Sequence, residues 1–314
     1  MIHAFALEPE LVASWGKREG FRFIHDKFGI GTSRVMLEFP VFKKWRRAVF
    51  GAATALQLSQ EDMKRVEELF RILGERRCRR ADSIYDGLRT WLENAEQEYD
   101  RRPFAAILAT ANPRGRSEVL QENQLVPSEP RWGCAVGANP ARTPESLAGA
   151  LSAMLVNCRS LHLIDPHFGP ENPRHRRVLE AVIGVLSENG VVPQIVRVHC
   201  SEKSDLAFFE SEAARMANRL PIGITVEFVR WRQRVGGDRL HNRYVLTDLG
   251  GVLFGVGLDA GAEGETDDVV LLPRDQYNFR WAQYVESGRA FEQVDTPASI
   301  RGTRTLGNVR GGTK

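Results

Sequence analysis

Apolar residues recur every three or four positions along the first part of the chain, the spacing of helices that bury one face. One such run follows Ser59, a favourable N-cap residue, and carries Leu69 and Leu73 on the same stripe. A second run extends from Ala81 to Tyr99. We therefore predict that residues 1–125 form a mostly helical domain, although the pattern does not indicate its role.

This periodicity stops where proline and glycine become frequent. Residues 126–142 hold three prolines and two glycines, which indicates a linker or a long irregular connection. The sequence Thr143-Pro144-Glu145 then has the order of a helix start, with an N-cap threonine, proline at the first helical position and an acidic first turn. We expect a second domain to begin at residue 143.

Strand-like and helical segments alternate after that point. Apolar runs typical of strands cover residues 161–164, 191–198, 222–231, 239–247, 252–258 and 268–272. The predicted fold class is α/β: a helical N-terminal domain followed, over residues 143–290, by an α/β domain with a mixed sheet flanked by helices. Residues 291–314 are basic and rich in glycine, which favours a flexible tail.

Composition excludes several classes of protein. With 314 residues, 42% apolar and 26% charged, the chain is not a disordered polymer, a collagen or a coiled-coil rod. No apolar run approaches the roughly 18 residues that cross a bilayer, and the N-terminus lacks the pattern of a signal peptide. The four cysteines are too far apart for paired metal ligands. We expect a cytoplasmic protein with no transmembrane segment, no metal and no cofactor.

The net charge of +3 is uninformative, but the basic residues are clustered. Clusters cover residues 43–47, 76–80 and 174–177, and five arginines lie between Arg230 and Arg243. Each cluster fits either a solvated surface or an anion-binding surface. The cluster at 174–177 begins a predicted helix, where bound phosphate is favoured.

The last cluster surrounds His241, and His241 and Arg243 lie two residues apart in a predicted strand. Alternating side chains would place them on the same face. An imidazole can attack phosphorus or move a proton, and a guanidinium binds phosphate oxygens. Asp248, at the end of this strand, could orient a neighbouring group or begin the turn. The alternative is a packed or surface histidine beside an arginine by chance.

Arginines before this strand would add to the same site. Arg230, Arg232 and Arg234 alternate from a strand into a loop, and Arg239 follows. They could surround the mouth of an anion site centred on His241, or they could protect a solvated edge strand.

Asp165 and His167 follow the predicted strand at 161–164. Loops at the carboxyl ends of strands bind ligands in α/β folds, so His167 is a candidate second site histidine and Asp165 a candidate partner for an imidazole. The alternative is a turn fixed by Pro166 with Asp165 as a local cap.

The pattern His241-x-Arg243-x4-Asp248 resembles the HxKx4D motif of the phospholipase D superfamily, with arginine in place of lysine. In that family the histidine is the nucleophile and the lysine holds the phosphate. A Gly-Ser-x-Asn segment follows in the family, whereas this chain has Gly255-Val256-Gly257-Leu258, without the serine or the asparagine.

The pattern is closer to the phospholipase-D-like C-terminal domain of MIT-domain proteins and to uncharacterised bacterial relatives, some of them in anti-phage loci. The shared features are His-x-Arg at 241–243, Gly-x-Gly-Leu-Asp at 255–259 and an upstream Asp-Pro at 165–166. The resemblance covers about Thr143 to Glu286. The MIT-protein domain is regarded as a degenerate member that binds acidic phospholipid without cleaving it.

The resemblance implies one of two functions. The first is a metal-independent phosphodiesterase or nuclease with His241 as nucleophile, Arg243 on the phosphate and Asp248 in support; because only one motif copy is present, a homodimer would complete the site. The alternative is a degenerate module that binds nucleic acid, phospholipid or another anionic ligand within a larger complex. A third hypothesis is a subunit of an anti-phage defence complex.

Overall fold

A computed structural model of the chain describes residues 1–80, 82–286 and 290–305. These residues form two compact units, the first from Met1 to Val136 and the second beginning at Gly137. Both units contain helices packed on sheets, so the predicted α/β class is confirmed.

The first unit is built on a five-stranded parallel sheet. Its strands are β1 (His3–Leu7), β2 (Arg34–Leu37), β3 (Arg77–Cys78), β4 (Ala106–Leu108) and β5 (Val119–Leu120), in the order β3-β2-β1-β4-β5. The helices are α1 (Pro9–Ser14), α2 (Arg18–Ile24), α3 (Phe42–Ala55), α4 (Gln60–Glu75) and α5 (Trp91–Arg101). This is the strand order of a doubly wound α/β sheet.

The expectation of a mostly helical N-terminal domain is therefore corrected. Helix α4 begins where predicted, and the Ser59 hydroxyl accepts a hydrogen bond from the Asp62 backbone N–H. The sheet was missed because its strands are two to five residues long and almost entirely buried. Strands covered on both faces lack the alternation that identifies a strand in sequence.

The predicted helix from Ala81 to Tyr99 is also shorter in the structure. Its regular part begins at Trp91, after Thr90, whose side chain caps the helix together with Glu93. Leu88 lies within the apolar run that predicts this helix, but it precedes the helix and is 98% exposed. The capping pair sets the true helix start.

Residues 126–142 are not a separate linker. Trp132 packs in the core of the first unit, where its ring contacts Phe5 and Phe28. The second unit takes the rest of the segment, including strand β6 (Gly137–Ala138) and the buried Arg142. The prolines and glycines mark irregular backbone that belongs to the two units.

The second unit continues with one long sheet and its covering helices. In chain order its elements are α6 (Pro144–Leu155), β7 (Ser160–Ile164), α7 (Pro173–Glu188), β8 (Ile195–Ser201), α8 (Leu206–Ala214), β9 (Thr225–Gln233), β10 (Arg243–Thr247), β11 (Gly250–Phe254), β12 (Val269–Leu271), α9 (Arg274–Trp281), β13 (Phe291–Gln293) and β14 (Ala298–Arg301). A π-helical turn, Ala282–Glu286, follows α9.

This sheet is mixed, as the sequence predicts. Its order is β13-β9-β8-β7-β10-β11-β12-β6. Strands β7, β8 and β9 are parallel, and the pairs from β7–β10 to β12–β6 are antiparallel. Helix α6 starts at the predicted cap, with the Thr143 hydroxyl accepting from the Ser146 N–H.

The segment expected to be a flexible tail supplies two strands. Strand β13 pairs with residues 231–233 of β9, and β14 pairs with residues 225–228 of the same strand. The buried Phe291 ring packs against Trp231 and Tyr284, which gives this segment the apolar anchor that a composition argument overlooks. The rest of the predicted tail, residues 306–314, lies outside the described residues.

None of the helices in the described parts of the chain is both long enough and apolar enough to span a membrane.

Candidate functional site

A cleft opens at one end of the second sheet, where strand direction changes. Strand β7 has the parallel β8 on one side and the antiparallel β10 on the other. The loops after β7 and β11 and the start of β10 meet there, at the kind of switch point where open α/β sheets bind ligands. The cavity has a volume of about 420 Å³. It is lined by Arg142, Asp165, His167, Asn172, Arg174, His175, Arg243, Val256, Gly257 and Asp259.

Asp165 organises the floor of this cleft. Its side chain is buried, at 2% exposure. Oδ1 accepts from the His167 backbone N–H at 2.9 Å, and Oδ2 accepts from the Leu258 N–H at 2.9 Å. Asp165 therefore joins the loop after β7 to the loop after β11.

Gly257 allows the loop after β11 to lie close to the carboxylates of Asp165 and Asp259. A Cβ atom on Gly257 would lie 3.0 Å from Oδ1 of Asp259 and 3.4 Å from Oδ2 of Asp165. The buried Asp267 accepts from the Val256 N–H at 2.9 Å and from the Gly257 N–H at 3.3 Å. The Gly-x-Gly segment of the sequence thus forms a tight turn held by carboxylates.

Three arginines line the cleft, and their hydrogen bonding differs. Arg142 pairs with Asp259 and Glu265, and Arg174 pairs with Asp259 at 3.1 Å. Arg243 lies with Nε 3.9 Å from Oδ1 of Asp165, beyond hydrogen-bond distance. Within the described residues the Arg243 side chain makes no hydrogen bond, and its Nε is buried without a hydrogen-bond partner. Its side chain is 25% exposed and lines the cleft.

The two cleft histidines are held as neutral N–H donors. Nδ1 of His167 lies 2.8 Å from Nζ of Lys203, an ammonium that can only donate, so the proton of the neutral ring is on Nε2. Burial, and then Lys203, lowers the pKa of His167. Nδ1 of His175 accepts from the Gly169 N–H at 3.4 Å, and burial lowers the pKa of His175. Donors thus predominate around the cleft.

His241 lies outside the cleft lining. It is exposed and precedes strand β10, which begins at Arg243. The prediction that His241 and Arg243 share one face of a strand is therefore wrong. Its Nδ1 lies 3.1 Å from the Arg239 carbonyl oxygen, which can only accept. In the neutral ring Nδ1 therefore carries the proton, and Nε2 keeps its lone pair.

Asp248 lies at the opposite end of β10 from Arg243. Its Oδ1 accepts from the backbone N–H groups of Arg159 and Ser160, at 2.7 and 3.1 Å. Its Oδ2 pairs with the Arg159 side chain at 3.1 Å. Asp248 therefore fixes the start of β7 and has no place in the cleft.

Three of the four arginines expected to surround His241 are occupied by other contacts. The buried Arg230 pairs with Asp295 at 3.0 Å and donates to the Glu202 and Ser204 carbonyls. Arg232 pairs with Glu202, and Arg234 donates to the Phe291 carbonyl at 3.2 Å. Arg239 is exposed. These four lie outside the cleft lining, and the first three stabilise the neighbouring loop and strand β13.

The structure thus brings together Arg243, Asp165 and His167 of the predicted residues. It adds Arg142, Asn172, Arg174, His175 and Asp259. Asp259 is part of the Gly-x-Gly-Leu-Asp pattern, and Arg174 and His175 are part of a basic cluster, so both signals were present in the sequence. Arg142 has no such signal, because it reaches the cleft from a segment predicted to be a linker.

A second polar cluster is buried between β7, β8 and β9. Nδ1 of His162 lies 3.0 Å from Nε2 of His199, and the Trp231 indole N–H donates to Nδ1 of His199 at 3.0 Å. The indole fixes the His199 proton on Nε2, which donates to His162 in turn. Burial lowers the pKa of His162 to about 4 and that of His199 well below its ordinary value. Within the described chain, Nε2 of His162 is buried without a partner.

Comparison with known proteins identifies no family. No family model matches the chain, and no curated protein does. One matching solved structure is that of TrmBL2, described as an archaeal chromatin protein with a novel mode of DNA binding. The identity is 14% and the TM-score 0.28, and the match spans 50% of this chain and 55% of that one. A likeness this weak supports no conclusion about fold or function.

Proposed function

We propose that the second unit binds a phosphate group of nucleic acid in the cleft around Arg243, as a phospholipase-D-like module that does not cleave its ligand. The observation that carries this proposal is the Arg243 guanidinium, which has a partly buried position and no hydrogen bond within the described residues. The planar guanidinium of an arginine beside a cavity suits an anion that offers two acceptor oxygens, such as phosphate.

The other lining groups support an anionic ligand. His167 and His175 present N–H groups, and Arg174 is half exposed at the start of α7. Asp165 and Asp259 offset part of this positive charge and hold the arginines in place. A cavity of about 420 Å³ is large enough for a phosphate with part of its nucleotide.

Binding without cleavage fits the positions of the histidines. A nucleophilic imidazole needs a free lone pair. The lone pairs of His167 and His175 are engaged by Lys203 and by the Gly169 N–H. His241, the nucleophile implied by the resemblance, is outside the cleft lining.

One observation favours the phosphodiesterase as a second candidate. Nε2 of His241 has a free lone pair, which is the tautomer that attack on phosphorus requires, and His241 is two residues from Arg243. In that case a homodimer would pair two His241 residues across a two-fold axis. Such a protein could serve in a defence complex that acts on foreign nucleic acid.

Binding is tested by titrating the full-length protein with a labelled single-stranded DNA oligonucleotide. The Arg243→Gln variant should bind about 10- to 100-fold more weakly, the loss typical of a charge-assisted hydrogen bond. The Arg239→Gln variant removes the same charge from an exposed position outside the cleft and should bind like the wild type. Equal affinities for Arg243→Gln and wild type would refute the proposal, as would binding only to anionic lipid vesicles.

Cleavage is tested separately. Light scattering gives the mass in solution, and wild type and His241→Ala are incubated with labelled DNA and RNA in EDTA. Intact ligand supports the binding module. EDTA-resistant cleavage by a dimer, lost in His241→Ala, would establish the phosphodiesterase in its place.

A further inference from the structure

Helix α3 of the first unit has a cationic exposed face. Its sequence contains four basic residues and no acidic one. Lys43, Arg47 and Gly51 follow at intervals of four residues, so they share one face, and Lys44 lies beside them. All four are exposed, whereas Trp45 faces the core.

These cations lack carboxylate partners. Across the residues that the structure describes, Lys43, Lys44 and Arg47 form no ion pair. Other arginines of the same unit behave differently: Arg65 pairs with Glu61 and Asp62, and Arg77 pairs with Glu38. The fold therefore neutralises cations nearby but leaves this face positive.

Two features of the face oppose helix stability. Lys43 and Lys44 lie in the first turn, where cations oppose the helix dipole. Gly51 lies in the helix interior, where glycine is less favourable than alanine, although a Cβ there would meet nothing within 4 Å. Neither feature is needed for packing, and such local conflicts mark functional positions. A glycine on an exposed face allows close approach of another molecule.

We propose that this face of α3 binds the phosphate backbone of double-stranded nucleic acid, independently of the cleft in the second unit. Duplex DNA carries a negative charge about every 1.7 Å of its axis, so three cations within about one helical turn meet several phosphates. The exposed residues Ala48, Gly51 and Ala55 beyond them are small, which leaves room for the backbone.

The composition of the face selects the duplex over two other anionic partners. Single-stranded nucleic acid is bound by exposed aromatic side chains, but Trp45 is fully buried and Phe42 is only partly accessible. A helix that lies in a membrane interface exposes large apolar residues on one face. The exposed face of α3 offers alanine and glycine.

The test measures binding of the full-length protein to a labelled 20-base-pair DNA duplex, and to an RNA duplex, over a range of salt concentrations. Wild type should bind with an affinity that falls steeply with salt. The variant Lys43→Gln, Lys44→Gln, Arg47→Gln should bind at least about tenfold more weakly, and its salt slope should fall by about one for each cation replaced. DNA and RNA arms show which duplex is preferred.

Matched variants separate this site from net charge and from the cleft. Lys44→Gln should weaken duplex binding more than Lys64→Gln, which removes an exposed lysine from α4. Gly51→Gln keeps the charge but should weaken binding severalfold, with an unchanged circular dichroism spectrum. The triple variant should bind the single-stranded oligonucleotide of the cleft like the wild type, which separates this face from the Arg243 site. The inference fails if the wild type binds neither duplex, or if it binds anionic vesicles instead. It also fails if Lys64→Gln and Lys44→Gln lose equal duplex affinity, or if only Arg243→Gln loses duplex affinity.

Discussion

Oδ2 of Asp165 accepts a hydrogen bond from the backbone N–H of Leu258 at 2.9 Å, across 93 residues of sequence. Oδ1 of the same carboxylate accepts from the His167 N–H. One buried side chain thus holds both loops of the cleft, and Arg243 lies beside it. The shape of the cleft and the position of the Arg243 guanidinium depend on the same group.

The first prediction concerns Asp165→Asn. The amide can accept one of the two backbone hydrogen bonds but places an NH2 group against the other donor. We expect the free energy of unfolding to fall by about 1–3 kcal/mol, measured by urea denaturation. The affinity for the oligonucleotide should fall as well, because the loops and Arg243 lose their anchor. Glu263→Gln, an exposed change in a nearby loop, is the control and should alter neither quantity.

A second prediction separates Asp248 from the cleft. Asp248→Ala removes two backbone hydrogen bonds and an ion pair at the start of β7. We expect a loss of about 1–3 kcal/mol in the free energy of unfolding with an unchanged affinity for the oligonucleotide at a temperature where the variant is folded. A large loss of affinity in the folded variant would show that Asp248 contributes to ligand binding.

The third prediction is a dependence of stability on pH. The pKa values of His162 and His199 are lowered in the folded protein, so the unfolded chain binds protons first as the pH falls. Their contribution to stability is complete above the unfolded pKa of about 6.5 and decreases as the pH falls below it, for His162 down to its folded pKa of about 4. His162 alone accounts for up to about 3 kcal/mol.

Urea denaturation between pH 8 and pH 4 measures this effect. His162→Asn retains an acceptor for the His199 N–H but does not titrate, so its stability should fall less steeply with acid. A variant with the same acid dependence as wild type would show that other groups cause the loss.

A fourth prediction concerns the indole that fixes the His199 proton. Trp231→Phe leaves Nδ1 of the buried His199 without its donor, and we expect it to cost about 1–3 kcal/mol of stability. In the double variant Trp231→Phe, His199→Leu, the loss of stability should be smaller than the sum of the losses in the two single variants, because each substitution removes the same hydrogen bond. Strict additivity would mean that the bond contributes nothing.

Local signals predicted local structure well. Ser59 and Thr143 cap the helices that follow them, and the alternation of strands and helices after residue 143 corresponds to the mixed sheet of the second unit. These signals act within three or four residues of the backbone they control, so one sequence is enough to recognise them.

The parallel sheet of the first unit could not be found in this way. Strand β1, with the sequence His-Ala-Phe-Ala-Leu, is apolar along nearly its whole length. A strand buried on both faces has no polar alternation, and a five-residue apolar run fits a helix equally well. Its partners come from distant segments that no local pattern connects.

Only part of the candidate site could be predicted, because strand pairing decides which of the predicted residues reach the cleft. Arg243 begins β10 and Asp165 follows β7, and the antiparallel register of these two strands brings Tyr244 opposite Ile164. That register also sends Asp248 to the far end, beside Ser160. The sequence shows the spacing of His241, Arg243 and Asp248. It does not show that β10 begins at Arg243, which leaves His241 before the strand and Asp248 beyond its other end.

The two strands at the end of the described chain have a practical consequence. Together β13 and β14 cover most of one side of β9, and β6, only two residues long, ends the sheet on the other side. A chain shortened at residue 290 would expose the backbone N–H and C=O groups of a nine-residue strand. Open strands of this length template pairing between molecules, so the shortened protein should aggregate through β9 even though its cleft residues are all present.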